Sequence, residues 1–140
     1  MNGSTHLLFA LFCILFTQQY FPTTNIYLFS FFVFFAAFIV DMDSAKSKVG
    51  RKIWPLSVFI ELILKHRGVV HSIWIPLIFY YFINPFSHNI ALGFVVGYVS
   101  HLLLDALTIQ GVTFIYPFKS KIRGFIKTGG ITEKVVQGVI

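Results

Sequence analysis

Charge is what this chain has least of. Asp, Glu, Lys and Arg together make up 11% of its 140 residues, and only five residues are acidic. A soluble domain carries about 25% charged residues, and eighteen phenylalanines would leave one with an excess of bare apolar surface. With 56% hydrophobic residues and a mean hydropathy of +0.79, the composition excludes a water-soluble globule and predicts an integral membrane protein. Cysteine is nearly absent too: Cys13 stands alone, which excludes an internal disulfide. The opening segment, MNGSTHLLFA, lacks the basic n-region of a cleavable signal peptide, so its apolar stretch is expected to be a retained first span. No period of 20–50 residues repeats, which excludes a solenoid.

What is present reads as an all-α integral membrane protein, a compact bundle of about four transmembrane helices. The apolar segments run over about 6–20, 26–40, 68–84 and 89–109, interrupted by TQQYFPTTN and NPFSHN, whose Pro, Asn and Thr suit turns. The first two are shorter than the roughly 20 residues that cross a bilayer comfortably. Within the long polar stretch 41–67, WPLSVFIELILK is too short for a span and predicts an interfacial or re-entrant helix. After TGG, Thr132 and Glu133 read as an N-cap and an acidic first turn opening a short C-terminal helix. Two regions follow: a transmembrane domain over 1–118 and a basic tail over 119–140.

Basic residues are missing from one side altogether. Loops 21–25 and 84–89 carry no Lys or Arg, while the 41–67 loop and the tail hold all eleven. The positive-inside rule then places both termini and the 41–67 loop in the cytoplasm of a multi-pass inner-membrane protein. The same charge also suits anionic lipid headgroups, and with no nucleic-acid motif in the chain no nucleic-acid partner is expected.

On this topology the ionisable residues sort themselves. His6 opens span one, Asp41 and Asp43 close span two, His66 and His71 open span three, and His101 and Asp105 lie in the inner half of span four. Counting back from residue 109 at 1.5 Å per residue puts His101 and Asp105 about 12 and 6 Å from the end of that span. These are four of five histidines and all three aspartates, on one side; only His88 is elsewhere. His101 and Asp105, four residues apart, share one helix face. Imidazole nitrogens with carboxylate oxygens form the ligand set of Zn²⁺, Mn²⁺ or Fe²⁺. Seven candidates exceed the four ligands of one tetrahedral ion, so two ions are bound or some of the seven are supporting and catalytic groups. The competing reading is a polar pair that fastens helices together in the membrane.

Several pieces resemble the YdjM-like family of inner-membrane proteins, for which metal-dependent hydrolase activity is inferred. They are THLLFA, DMDSAKSKVGRK, HRGVVHS, GYVSHLLLDALTIQGVTFIYPF and TGGITE. The resemblance implies His6, Asp41, Asp43, His66, His71, His101 and Asp105 as site residues and an activity of phospholipase-like kind. One departure is Val40, which stands where the family usually has a proline before its first aspartate.

The expected function is therefore membrane-bound, metal-dependent hydrolysis of a lipid phosphoester or ester at the cytoplasmic leaflet. One or two divalent ions, zinc foremost, would activate water. Asp43 or Asp105 would serve as base, and Arg67 would neutralise a phosphate. A histidine-nucleophile lipid phosphatase also uses His-x-x-x-Asp, but the Pro-Ser-Gly-His motif and the Arg ahead of the histidine that such enzymes need are absent. A non-catalytic metal-binding scaffold or regulator stays open. Transport is disfavoured, because Gln18, Gln19 and His88 are almost the whole polar content of the outer half.

Overall fold

In the computed structural model the described residues are 1–21, 23–40, 71–118 and 121–140. Among them the chain is all-helical, with no strand beyond two isolated bridges. The helices are α1 (Gly3–Tyr20), α2 (Ile26–Ile39), α3 (Trp74–Ile83), α4 (His88–Ala106) and α5 (Ile131–Val139). The expectations for the interfacial helix, for Asp41, Asp43, His66 and Arg67, and for the basic loop around residues 46–52 lie outside the described residues.

Local sequence accounts for the helix ends. Asn25 caps α2, its side chain accepting from the Leu28 amide at 3.0 Å. Pro76 sits in the first turn of α3, where its missing N–H has no intrahelical partner to lose. After α3 the chain reverses, with the amides of Phe86 and Ser87 both donating to the Ile83 carbonyl at 3.0 Å.

The spans differ in length from the sequence expectation. Among the described residues only α4, with 19 residues, is long and apolar enough to cross a membrane by length and composition. Helix α2 has 14 residues and α3 has 10, about 21 and 15 Å of helix. Helix α4 ends at Ala106 rather than near 109, because Thr108 turns its hydroxyl back onto the Asp105 carbonyl at 2.7 Å. His101 and Asp105 are therefore within about 8 and 2 Å of the helix end, closer than predicted.

Lipid offers no hydrophobic drive for apolar helices to associate, so they are held by close packing. The closest seam joins α2 to α4. A Cβ placed on Gly97 would lie 2.0 Å from the Val33 carbonyl oxygen, and one on Gly93 would lie 2.6 Å from that of Phe29. These two glycines, spaced Gly-x-x-x-Gly, let the two backbones touch. One core cluster joins Ala36 and Val40 to Phe94, Tyr98 and Leu102, and a second joins Ala10 and Ile14 of α1 to Phe29, Val33 and Ala37 of α2. Helix α3 is fastened to α4 by the stacked rings of Phe79 and Phe94, 3.9 Å apart.

Beyond α4 the chain folds back on itself. Val112 and Ile122 exchange both backbone hydrogen bonds at 3.0 Å, and the Ile126 amide donates to the Leu107 carbonyl at 3.0 Å. The Ile73 amide donates to the Phe114 carbonyl at 2.9 Å, which fixes the turn that carries His71. Helix α5 does begin after the glycine pair with an acidic first turn, but its N-cap is Gly130, not Thr132, and no side chain caps it.

Candidate metal centre

Three described elements deliver the polar residues to one point. His6 comes from the first turns of α1, His101 and Asp105 from the last turns of α4, and His71 from the turn before α3. All three imidazoles are buried, and the Asp105 side chain is 13% exposed.

Asp105 is the hub. His6 Nε2 lies 3.4 Å from its Oδ1, while His71 Nε2 and His101 Nε2 each lie 3.6 Å from its Oδ2. The Met1 ammonium donates to Oδ1 at 2.9 Å. The His6 and His101 rings stack with centroids 3.8 Å apart and planes within 7°, and His71 meets His101 edge-on at 6.0 Å.

Those spacings are long for N–H···O hydrogen bonds, which cluster near 2.9–3.0 Å. They do match the edges of a coordination polyhedron. Two ligands each about 2.1 Å from one ion, at the tetrahedral angle, lie roughly 3.4 Å apart. Ligand atoms of His6, His101 and Asp105 all fall within 4.8 Å of one another.

Tautomer chemistry points the same way. His101 Nδ1 is 2.9 Å from the Ala37 carbonyl oxygen, which can only accept, so Nδ1 carries the proton and donates. In the neutral form of the ring, Nε2 is then the nitrogen able to ligate, and it is the one that faces Asp105. A backbone carbonyl holding the distal nitrogen is the usual way a protein orients a metal-ligating histidine. His6 supplies the complementary observation. Its ring is buried, and among the described residues neither of its nitrogens makes a hydrogen bond, Nε2 having only the 3.4 Å approach of Asp105. Leaving such a polar group unsatisfied costs about 1–3 kcal/mol, a cost that ligation would remove. The donor set thus fits a divalent transition ion.

A residue outside the predicted set supports the cluster from below. Glu133 of α5 is 1% exposed and accepts from the Asn2 amide, the Thr5 hydroxyl and the Gly129 amide, each at 2.6 Å. Burial would raise its carboxyl, but these three donors outweigh it and hold the pKa below the ordinary glutamate value. Gln137, one turn on, donates to the Thr5 hydroxyl at 2.7 Å. Helix α5 is thereby clamped to the first turn of α1, next to His6. The sequence signal for this was Glu133 itself, a carboxylate in an otherwise basic tail, but two of its three donors are 128 and 131 residues away.

Of the seven predicted site residues, the described structure brings together His6, His71, His101 and Asp105.

Comparison with known proteins adds the family. The profile of the family described as YdjM inner membrane protein matches residues 1–139. The chain is similar to the protein named Uncharacterized protein YvsG of Bacillus subtilis (strain 168), 34% identical over 104 residues, covering 71% of this chain and 65% of that one. It is also similar to Inner membrane protein YdjM of Escherichia coli (strain K12), 36% identical over 90 residues, covering 59% of this chain and 46% of that one. The match therefore spans less than two thirds of either relative. No solved structure matches it.

Proposed function

Because the chain belongs to the YdjM family of inner membrane proteins, it is a membrane protein, and we propose that it is a metal-dependent hydrolase of lipid phosphoesters or esters. The observation that carries this reading is the convergence of three imidazole Nε2 atoms on Asp105, with His101 held in the ligating tautomer by the Ala37 carbonyl. In this reading His6, His101 and Asp105 hold the ion, and His71 completes or flanks the set. Zinc suits this nitrogen and oxygen donor set, and manganese or iron are the nearest substitutes. A divalent ion there supplies Lewis acidity and a water activated at neutral pH.

The remaining roles belong to the chain. Both oxygens of Asp105 face histidine nitrogens, which suits a ligand better than a base and leaves the base to Asp43. Asp41 and His66 join as further ligands of the same or a second ion. Arg67 and the basic loop around residues 46–52 neutralise a phosphate. The topology we propose has four spans, with α4 crossing unaided and the shorter helices completed by adjoining apolar sequence or by local bilayer thinning. Both termini and the centre then face the cytoplasm, as the one-sided distribution of Lys and Arg supports. The substrate ester lies at headgroup depth, where the end of α4 meets the interface.

A second reading has its own observation. The Met1 ammonium pairs with Asp105 at 2.9 Å, as in a purely structural ion pair joining α1 to α4 in a non-catalytic scaffold. Elemental mass spectrometry of detergent-purified protein separates the two. The hydrolase reading expects about one or two equivalents of a transition metal in the wild type, lost in His101→Ala and Asp105→Ala, and release of product from a phospholipid panel. No metal after reconstitution would return these residues to helix fastening. Metal without cleavage would leave the scaffold.

A further inference from the structure

An apolar groove of about 240 Å³ runs along the seam between α1 and α4. Phe12, Cys13 and Thr17 form one wall, and Val96, Val99 and Leu103 the other. Its position follows from the helix geometry. The start of α1 and the end of α4 meet at Asp105, so the two helices run in opposite directions. Leu103 falls between His101 and Asp105 in sequence, and Val95, the groove residue farthest back on α4, is eight residues earlier, about 12 Å away. Cys13 and Thr17 follow His6 by seven and eleven residues and share its helix face. Leu103, two residues from both His101 and Asp105, lies level with them but about 160° round α4, so the groove starts at the depth of the centre on the lipid-facing side of the helix and extends about 12 Å away from it.

Its chemistry selects the occupant. Ser100, at the wall, spends its hydroxyl on the Gly97 carbonyl at 2.7 Å, so it offers no donor to a ligand. A polar or charged ligand would be desolvated there without compensation. A helix, about 10 Å across with its side chains, is too wide for this volume. A volume of about 240 Å³ spread over about 12 Å leaves a cross-section of roughly 20 Å², room for a single hydrocarbon chain, and the exposed side chains of Phe16 and Leu103 open the groove to the lipid-facing surface.

We infer that this groove is a binding site for one acyl chain of a glycerophospholipid whose headgroup lies level with the His6–His101–Asp105 centre. The inference rests on the hydrolase reading for the fate of that headgroup, while the seat of the chain stands on the groove.

The test uses the full-length protein in phosphatidylglycerol and phosphatidylethanolamine vesicles containing a phospholipid with a mid-chain diazirine. After irradiation, cross-linked residues are mapped by mass spectrometry. The expected result is labelling concentrated on Phe12–Thr17 and Val95–Leu103, about tenfold above the exposed Phe31 and Ile78. Val99→Trp and Cys13→Trp fill the groove from opposite walls, and each should remove that excess while leaving Phe31 and Ile78 labelling unchanged. Either variant suffices if the other fails to fold. Labelling spread evenly over the lipid-facing residues, or unmoved by a folded wedge variant, overturns the inference. Cross-linking requires no turnover, so a protein that labels in the groove but cleaves nothing defeats the hydrolase reading and leaves the lipid site standing.

Discussion

Replacing Glu133 by Gln tests whether an ionic clamp fastens the C-terminal helix to the start of α1, beside the His6–His101–Asp105 cluster. The carboxylate accepts three hydrogen bonds of 2.6 Å, two on Oε1 and one on Oε2. Hydrogen bonds to a charged group contribute about 1.5–3 kcal/mol, against about 0.5–1.5 for neutral ones. Gln keeps one oxygen for two of the donors at neutral strength and turns an NH₂ toward the third. Demoting two bonds and breaking one costs about 5 kcal/mol, and for a chain of this size that is roughly 15 °C in Tm. The folded-state pKa of Glu133 lies below its ordinary value of 4.5, so its stabilisation is complete above that value and is lost as pH falls through the folded pKa. Thermal unfolding of wild type and Glu133→Gln in detergent, followed by intrinsic fluorescence, should therefore show a gap that is full at pH 7 and narrows on acidification below about pH 4.5. A shift under about 2 °C at pH 7, or a gap unchanged into acid, would refute an ionic clamp.

Other outcomes follow from the same geometry. Chelation should lower the Tm of metal-loaded wild type by several degrees and leave Asp105→Ala unmoved, since only a folded-state ligand stabilises by mass action; scanning fluorimetry with and without chelator checks it. Gly97→Leu, whose side chain meets the α2 backbone at Val33, should lower Tm by roughly 10 °C and reduce bound metal, read by unfolding and elemental analysis together. In a Cys13→Ser background, cysteines at Ser87 and Lys134 should react with a membrane-impermeant thiol reagent from opposite sides of sealed vesicles. Labelling of both from one side would overturn the topology.

The parts of this site legible in the sequence are those whose spacing is local. His101 and Asp105 announce a common face because they are four residues apart on α4, and His6 and His71 followed once the spans were ordered. Glu133 was not legible as a buried clamp, because nothing near residue 133 reveals that the start of α1 will supply its donors. The end of α4 was placed three residues late because Ile109 is as apolar as a span residue, whereas the hydroxyl of Thr108 and the backbone pairing beyond it decide the boundary. The close approach of α2 did have a local signature in Gly93-Phe94-Val95-Val96-Gly97, which hydropathy alone passes over because glycine is neither strongly apolar nor charged.

That glycine seam reaches further than packing. The Ala37 carbonyl that holds His101 Nδ1 is on α2, one turn beyond Val33, whose backbone rests against Gly97. Ala37 and His101 are each four residues on from those contact points, so the distance between the two backbones sets the length of the hydrogen bond. A methyl group on Gly97 must displace α2, since the Val33 carbonyl oxygen stands 2.0 Å from where it would lie. A hydrogen bond of 2.9 Å tolerates only a few tenths of an ångström before it weakens. The absence of a side chain at Gly97 thus governs which imidazole nitrogen bears the proton one helical turn away, and a mutation with no titratable atom in it would register as a change in acid–base chemistry.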